Sequence, residues 1–388
     1  MARVLFLFNH DQFHQVAHSL PIALQLRAAG RHDVVLAAST QQMAVHVETL
    51  VREAGQSVPV ERLSLHRATS RALASWLDTV VPARKLLLYR DNIEFFRSFD
   101  ALVTSEKTSL LLKSRYGLTD LRMIHTRHGA GDRAIGFGRE AREFDLTLVS
   151  GEKIARRLVA EANVDPAQLA IVGYSKFDLH GDNRIANPFP DPDLPIVLYA
   201  PHPSPRLSSY YRFGPEVLRR FAASERYNLV FAPHVMLFER SRVVTISPPA
   251  IARVPQVPAE AIEASNILVD RGSPASSDMS YTNLADIYLG DASSQVYEFL
   301  FRPRPVVHLD AHQTHWHGDP NHAHWNAGPV CTDPARILET VDEAIATHAD
   351  FLPTQRQMVE DTFSISGEPS SRRAAQAIEN FLEKEGLG

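Results

Sequence analysis

Residues 286–300 read DIYLGDASSQVYEFL, an apolar strand segment that runs through Gly290 into a turn and then into a helix. Val296, Phe299 and Leu300 fall on one face of that helix, as expected for an element that covers a sheet. A strand followed by a short turn and a helix is the building unit of a parallel α/β sheet. The local pattern therefore predicts a fold made of such units.

The same alternation extends in both directions along the 388 residues. Residues 4–8, VLFLF, are apolar throughout, which is typical of a strand buried on both faces. The pattern predicts further strands at 33–38, 58–65, 99–104, 122–125, 144–149, 170–173, 196–200, 228–232, 266–269, 285–289 and 305–309, and helices at 18–29, 40–54, 70–90, 152–162, 214–224, 294–300, 333–348 and 370–385.

The proline-rich segment 182–195, DNRIANPFPDPDLP, has no apolar periodicity and is interpreted as an interdomain linker. Strand–helix alternation on both sides of it predicts an α/β protein of two Rossmann-like domains, with parallel sheets facing a central cleft. We expect an N-terminal domain over residues 1–185 and a C-terminal domain over 186–370. Residues 371–388 are expected to form a helix that packs back on the N-terminal domain.

Composition excludes several classes of protein. Hydrophobic residues make up 44% and charged residues 22% of the chain, which excludes a disordered or fibrous protein. The net charge of −5 argues against a nucleic-acid partner. Cys331 is the single cysteine, so neither an intrachain disulfide nor a cysteine-based zinc site can form. No apolar run is long enough for a membrane span or a secretion signal, and we expect a cytoplasmic protein.

Ligands of such sheets bind beyond the carboxyl ends of the strands, so the turn after each strand is where functional residues are expected. In the turn at 291–294, Ser293 or Ser294 is predicted to cap the helix, where backbone N–H groups favour an anion such as phosphate. Glu298, about one helical turn further on, can accept hydrogen bonds from a ribose or another diol. Plain helix capping explains the same residues equally well.

Histidines follow three other predicted strands. His128, in the segment Arg127-His128-Gly129, is a candidate general base, although capping of a turn is the alternative. His202 and His234 each end an Ala-Pro-His sequence, and this repetition favours function for at least one of them. Lys176, at the end of the first half, can neutralise a phosphate or be an ordinary solvated linker lysine.

Six histidines and two tryptophans crowd residues 308–325. Metal binding is one interpretation, but the segment is rich in glycine, proline and asparagine, and the only pair with the i, i+4 spacing of a metal-binding helix, His308 and His312, falls where a predicted strand passes into a loop. A long substrate-recognition loop is the favoured interpretation.

The order of these motifs resembles the CDP-glycerol glycerophosphotransferases of teichoic-acid-type polymer synthesis. In the first half, Arg127-His128-Gly129 is similar to the family's Trp-His-Gly, and residues 173–178 are similar to Gly-x-Pro-Arg-x-Asp. In the second half, residues 198–201 match Leu-Tyr-Ala-Pro and Pro233-His234 matches Pro-His. Residues 291–294 are similar to Asp-Tyr-Ser-Ser, residues 298–299 to Phe-(Asp/Glu)-Phe and residues 302–303 to Lys-Pro. The sequence departs from the family at Arg127, at Ser175-Lys176 and at His202-Pro203.

The resemblance implies a GT-B fold and a transferase that needs neither a metal nor another cofactor. It implies that His128 is the acid or base at the reacting centre, and that His234, Ser293 and Ser294 hold the donor's pyrophosphate. The donor is expected to be CDP-glycerol or a nucleotide sugar, and the acceptor a polyol, a glycan or a lipid-linked hydroxyl. The predicted donor-side set is completed by Lys176, His202, Asp291 and Glu298, and the acceptor side is predicted near residues 9–11, at His10, His14 and Arg127.

Three other functions fit the same motifs. A nucleotide-sugar glycosyltransferase and a UDP-sugar 2-epimerase use the same fold, and a non-catalytic nucleotide-binding protein is the alternative from another class. Because the acceptor can be lipid-linked, contact of the protein with a membrane is also left open. Several basic residues lie between 71 and 97, beside Trp76 and apolar residues at 86–88 and 95–96. This segment either docks on anionic lipid at the inner membrane face or is an ordinary amphipathic helix.

Overall fold

The computed structural model describes residues 1–10, 12–70, 72, 83–246 and 249–388. Two compact units divide the chain. Unit 1 comprises Met1–His128, Phe137–Leu179 and Phe363–Gly388, and unit 2 comprises Gly129–Gly136 and His180–Thr362. The short segment Gly129–Gly136 thus belongs with the C-terminal half, although it lies in the N-terminal half of the sequence.

Unit 1 is built on a seven-stranded parallel sheet. The strands are β1 (Arg3–Phe8), β2 (Asp33–Ala38), β3 (Val60–Arg62), β4 (Ala101–Thr104), β5 (Arg122–Thr126), β6 (Leu146–Val149) and β7 (Leu169–Ile171), in the order β3-β2-β1-β4-β5-β6-β7. Side chains on both faces of β1 are buried, because helices cover both sides of the sheet.

Unit 2 repeats this design with six parallel strands. They are β8 (Ile196–Tyr199), β9 (Asn228–Phe231), β12 (Ile267–Val269), β13 (Ile287–Gly290), β14 (Val306–Leu309) and β15 (Val330–Cys331), in the order β12-β9-β8-β13-β14-β15. Between β9 and β12 the chain forms an antiparallel ribbon of β10 (Arg242–Ile246) and β11 (Pro249–Arg253).

Helices connect the strands of both sheets. The α-helices are Leu20–Ala29, Gln41–Glu53, Ala83–Asp91, Ile93–Arg97, Leu111–Ser114, Glu152–Ala162, Lys176–His180, Gly214–Ala222, Ala259–Glu263, Ser280–Leu284, Gln295–Leu300, Ile337–Ala346, His348–Thr362 and Ser370–Lys384. The helix Ser370–Lys384 buries Ala374, Ile378 and Leu382 in the core of unit 1. Within the part of the chain described, no helix has the length and apolar content needed to cross a bilayer.

The predicted fold class is confirmed, with local differences. The strand predicted at 58–65 is only Val60–Arg62, and the ribbon β10–β11 and the helix His348–Thr362 were not predicted. Of the predicted helix at 70–90, Ala83–Asp91 is helical, while residues 71 and 73–82 lie outside the described residues. Trp76 of the proposed lipid-docking segment and Asp11 of the proposed acceptor side also lie outside them.

The order of the strands reverses once in each sheet, between β1 and β4 in unit 1 and between β8 and β13 in unit 2. At such a point the connections leave in opposite directions, which opens a crevice at the carboxyl ends of the two central strands. His10 and Glu106 follow the two central strands of unit 1, and His202 and Asp291 follow those of unit 2.

Candidate functional site

In unit 2, Asp291 ties together the turns that follow β8 and β13. Its buried carboxylate accepts hydrogen bonds from the N–H of His202 at 2.9 Å, from the N–H and the hydroxyl of Ser209 at 2.6 and 2.8 Å, and from its own neighbour Ala292 at 2.7 Å. Burial raises the pKa of Asp291, and these hydrogen bonds oppose the rise. Asp291, predicted on the donor side, thus holds the two turns in place.

The segment Gly129–Gly136 is anchored by the buried carboxylate of Asp132. Asp132 accepts hydrogen bonds from the Tyr297 hydroxyl at 2.7 and 2.9 Å and from the backbone N–H of His324 at 3.1 Å. The segment also approaches Ser294 closely, since a Cβ on Gly131 would lie 2.8 Å from the Cβ of Ser294. Gly129 has a positive φ of 73°, which favours glycine. These two glycines therefore allow the backbone to lie against the turn after β13.

Next to Asp132, the guanidinium of Arg133 contacts the imidazole of His202 and acts electrostatically on that of His234. Its Nη1 is 2.7 Å from Nε2 of His202, and its charge contributes to lowering the pKa values of both His202 and His234. Burial is the larger cause, and it brings the pKa of His234 to about 4, so both rings are neutral at pH 7. Among the described residues, no carboxylate forms an ion pair with Arg133, which is half-buried.

Hydrogen-bond donors outnumber acceptors around His202. The N–H of Ser204 points at its Nδ1 from 3.0 Å, while Arg133 points at its Nε2. A neutral imidazole carries one N–H and one acceptor nitrogen, so it can accept only one of these two hydrogen bonds. One of the two N–H groups is therefore left without an acceptor at His202, next to the positive charge of Arg133. A free N–H donor beside a positive charge favours the binding of an anion.

The turn after β13 leads into the helix Gln295–Leu300. Ser294 is the N-cap residue, as predicted, but its side chain makes no capping hydrogen bond. The Ser293 hydroxyl accepts instead from the N–H of Gln295 at 3.3 Å. Glu298 is buried within the helix. The local sequence thus forms the predicted strand, turn and helix.

In unit 1, His10 follows β1 and meets the turn after β4. Its Nδ1 is 3.0 Å from the Ser105 hydroxyl and 3.9 Å from a carboxylate oxygen of Glu106. Lys85 lies 3.6 Å from the other Glu106 oxygen. Burial alone would raise the pKa of Glu106, but the hydrogen bond with His10 and the Lys85 charge lower it. Glu106 is therefore an ionised partner for an imidazole.

His128 also lies near this group. His128 is exposed. Desolvation by the protein around it and then the charge of His10 lower the pKa of His128, while Glu106 opposes the shift. His128 is thus neutral at pH 7 and able to accept a proton.

The other predicted residues of unit 1 occupy different positions. Arg127 lies over the Phe137 ring, 4.8 Å from its centre, and burial lowers its pKa to about 10. Lys176, predicted on the donor side, is a buried residue of unit 1. The burial of His18 lowers the pKa of that ring, and the charge of Lys176 lowers it further. His14 is half-buried and acts on His18 in the same way.

The histidine-rich loop is anchored at its C-terminal end. Buried His324 and Trp325 both contact the carbonyl oxygen of Asp291, at 2.8 and 3.0 Å, whereas His315 and His317 are exposed. Within the described ranges, no group of three or more His, Cys, Asp or Glu residues is arranged to hold a metal ion. The buried part of this loop positions the turn after β13.

Sequence reasoning missed Glu106, Asp132 and Arg133. Glu106 directly follows the predicted strand at 99–104, so the rule that singled out His128 and His234 would also have found it. Arg133 stands five residues after His128, and nothing in the sequence shows that this segment belongs to unit 2.

No protein-family model matches the chain, and no curated protein matches it in sequence. Solved structures do match. The calicheamicin glycosyltransferase CalG4 is 18% identical with a TM-score of 0.56, covering 99% of this chain and 99% of that chain. A putative UDP-N-acetylglucosamine 2-epimerase from Listeria monocytogenes is 13% identical with a TM-score of 0.60, covering 99% and 96%. The wall teichoic acid polymerase TagF with CDPG is 12% identical with a TM-score of 0.61, covering 99% and 90%.

At these identities the similarity concerns the fold. Together with the two parallel sheets, it shows that the chain has the GT-B fold of glycosyltransferases. The fold part of the predicted resemblance is confirmed.

Proposed function

We propose that this protein is a transferase that takes a group from a nucleoside-diphosphate-activated donor and joins it to an acceptor hydroxyl. The observation that carries the proposal is the arrangement of unit 2 near the switch point of the sheet: Arg133, which has no carboxylate partner among the described residues, contacts the neutral ring of His202 and acts on the neutral ring of His234. The diphosphate of a nucleotide donor carries the negative charge that this arrangement would bind.

On this proposal, unit 2 binds the donor. Arg133, His234 and the hydroxyls of Ser293 and Ser294 contact the phosphates, and His202 supports Arg133. Glu298 accepts a hydrogen bond from the ribose. A fixed guanidinium and oriented N–H groups stabilise the charge that develops on a departing phosphate, so the reaction requires no divalent ion.

Unit 1 supplies the base. His128, neutral at pH 7, accepts the proton of the acceptor hydroxyl as its oxygen attacks. With CDP-glycerol, the new O–P bond forms at the glycerol-bearing phosphate, the bond between the two phosphates breaks, and CMP leaves with the electron pair. His10 and His14 belong to the acceptor side, while Arg127 supports the turn that carries His128.

CDP-glycerol is the donor we favour, since the motifs from Arg127-His128-Gly129 to residues 302–303 follow the family order. The TagF polymerase with CDPG is among the structures similar to this chain. The acceptor is then a polyol, a glycan or a lipid-linked hydroxyl.

Glycosyl transfer from a nucleotide sugar is the second candidate, and the His10–Glu106 pair favours it. A carboxylate beside an imidazole orients the ring for proton transfer, so the Glu106 carboxylate can position His10 as a base. In that reaction the acceptor oxygen bonds to the sugar carbon, and UDP leaves instead of CMP.

Product analysis tests the proposal. The protein is incubated with CDP-glycerol, and separately with UDP-sugars, in the presence and absence of polyol acceptors and with EDTA. Acceptor-dependent release of CMP that EDTA does not reduce supports glycerol-phosphate transfer, and release of UDP supports glycosyl transfer. Interconversion of UDP-sugars without an acceptor would identify an epimerase, and binding without turnover would identify a nucleotide sensor. Either result overturns the proposed function.

A further inference from the structure

The ribbon β10–β11 of unit 2 exposes an apolar pair beside a basic pair. Val244 and Ile251 are opposite each other in the antiparallel register, and among the described large hydrophobic residues only Met1 is more exposed than these two, at 67% and 75%. Arg242 and Arg253 are also opposite each other and exposed. All four side chains are on one face, because side chains two residues apart along a strand share a face.

The other face of the ribbon is attached to unit 2. Val243, Thr245, Ala250 and Ala252 are partly buried, and Val243 packs against the core of the unit. Arg206 donates a hydrogen bond from Nε to the carbonyl of Pro249 at 2.9 Å. The exposed face is therefore presented by a supported element.

The two arginines are arranged for a partner with negative charge. Like charges directly opposite each other destabilise a two-stranded ribbon. In the described part of the chain, neither Arg242 nor Arg253 has an ion pair, and exposed Arg240 adds a third positive charge without one. An anionic partner would relieve this repulsion.

We propose that this face of the ribbon docks on an anionic phospholipid surface. Charge alone would equally suit an acidic protein, but the apolar pair favours lipid, since Val244 and Ile251 lie nearer the connected end of the ribbon than the arginines do. Successive same-face positions are about 7 Å apart along a strand. When the ribbon is tilted so that its connected end is the deeper one, that spacing places the aliphatic side chains at the acyl boundary while the arginines lie at the phosphates, about the depth reached by interfacial elements. The surface is independent of the proposed reaction.

Vesicle co-sedimentation of the full chain tests this inference, using phosphatidylcholine alone and phosphatidylcholine mixed with phosphatidylglycerol. The wild type is expected to sediment with the anionic vesicles only, and less so at high salt. R242Q/R253Q should bind roughly tenfold more weakly or worse, while R242K/R253K keeps binding. V244S/I251S should also lose roughly tenfold, whereas I262S, at another exposed isoleucine of unit 2, behaves as wild type.

Thermal unfolding of each variant shows whether it is folded, and substitutions at exposed positions should leave the midpoint unchanged. Failure of the folded wild type to sediment overturns the inference, as does equal sedimentation of the ribbon variants and the wild type. Light scattering completes the test by measuring the oligomeric state. A wild-type dimer that V244S/I251S abolishes would mean that a second copy covers this face, and it would overturn the inference.

Discussion

The imidazole of His324 lies between two oxygen atoms, with Nδ1 2.9 Å from the carboxylate of Asp132 and Nε2 2.8 Å from the carbonyl of Asp291. One side chain thus links the segment Gly129–Gly136 to the turn after β13. Arg133 and Ser293 extend from these two segments, so the proposed phosphate site depends on a buried polar connection.

Removing the Asp132 charge should therefore destabilise unit 2. We expect Asp132→Asn to lower the free energy of unfolding by about 1–3 kcal/mol, because the buried hydrogen-bonding groups of Tyr297 and His324 lose an acceptor oxygen. Chemical denaturation measures the change. The matched control is Asp319→Asn. The Asp319 carboxylate is likewise 2.8 Å from an imidazole, that of His322, but it is partly exposed. Its replacement should lower the free energy of unfolding by about 1 kcal/mol or less. Equal losses for the two variants would contradict a structural role for Asp132.

The fold could be predicted from the sequence because its strands are continuous apolar runs that helical patterns separate. The run 4–8 and the segment 286–300 each correspond to a strand of a parallel sheet. The ribbon β10–β11 could not be predicted in this way, since its outward residues are apolar and basic and resemble neither a buried strand nor an ordinary surface strand.

The candidate site was predicted in part, for a related reason. Turns after strands are visible in the sequence, which gave His128, His202 and His234 as candidates. The hydrogen-bonding role of Asp291 and the placement of Arg133 beside His202 depend on contacts between distant segments. A single sequence contains no signal for such contacts.

Loss of the proposed base should affect turnover more than binding. We expect His128→Asn to lower kcat by roughly 10²–10⁴ while the donor Kd stays unchanged, because the imidazole acts on the acceptor proton and not on the phosphates. Steady-state kinetics and calorimetry measure the two quantities. His66→Asn, at an exposed position of unit 1 outside the proposed site, is the control. Full turnover by His128→Asn would remove His128 from the mechanism and leave His10 as the candidate base.

Donor binding should depend on Arg133 and not on Lys176. We expect Arg133→Gln to weaken CDP or UDP binding roughly 10- to 100-fold, the loss typical of a hydrogen bond to a charged group. Arg133→Lys should recover part of the affinity, since lysine keeps the charge but not the planar fork. Lys176→Gln, at a buried residue of unit 1, should bind as wild type in calorimetry. The reverse pattern would restore the sequence-based role of Lys176.

Acid should destabilise the protein before its carboxylates titrate. Burial lowers the pKa values of His125, His202 and His308 well below 6.5, and burial with the Arg133 charge lowers that of His234 to about 4. Between about pH 4 and 6.5 the unfolded chain therefore binds more protons than the folded one, so stability falls as the pH falls through this range.

Thermal unfolding across this range measures the effect, and little change is expected between about pH 7 and 8, where these imidazoles are neutral in both states. His308→Phe removes one buried titrating ring and should show a smaller acid-induced loss than the wild type. A melting temperature independent of pH down to about 5 would show that these rings are not held neutral by burial.

A crystal structure of the protein with CDP or UDP tests the proposed donor site directly. We predict a diphosphate within hydrogen-bonding distance of Arg133, His234 and the turn at Ser293 and Ser294, with the nucleoside on unit 2 beside Glu298. A nucleotide bound through unit 1 alone, or a diphosphate that leaves Arg133 without contact, would contradict it.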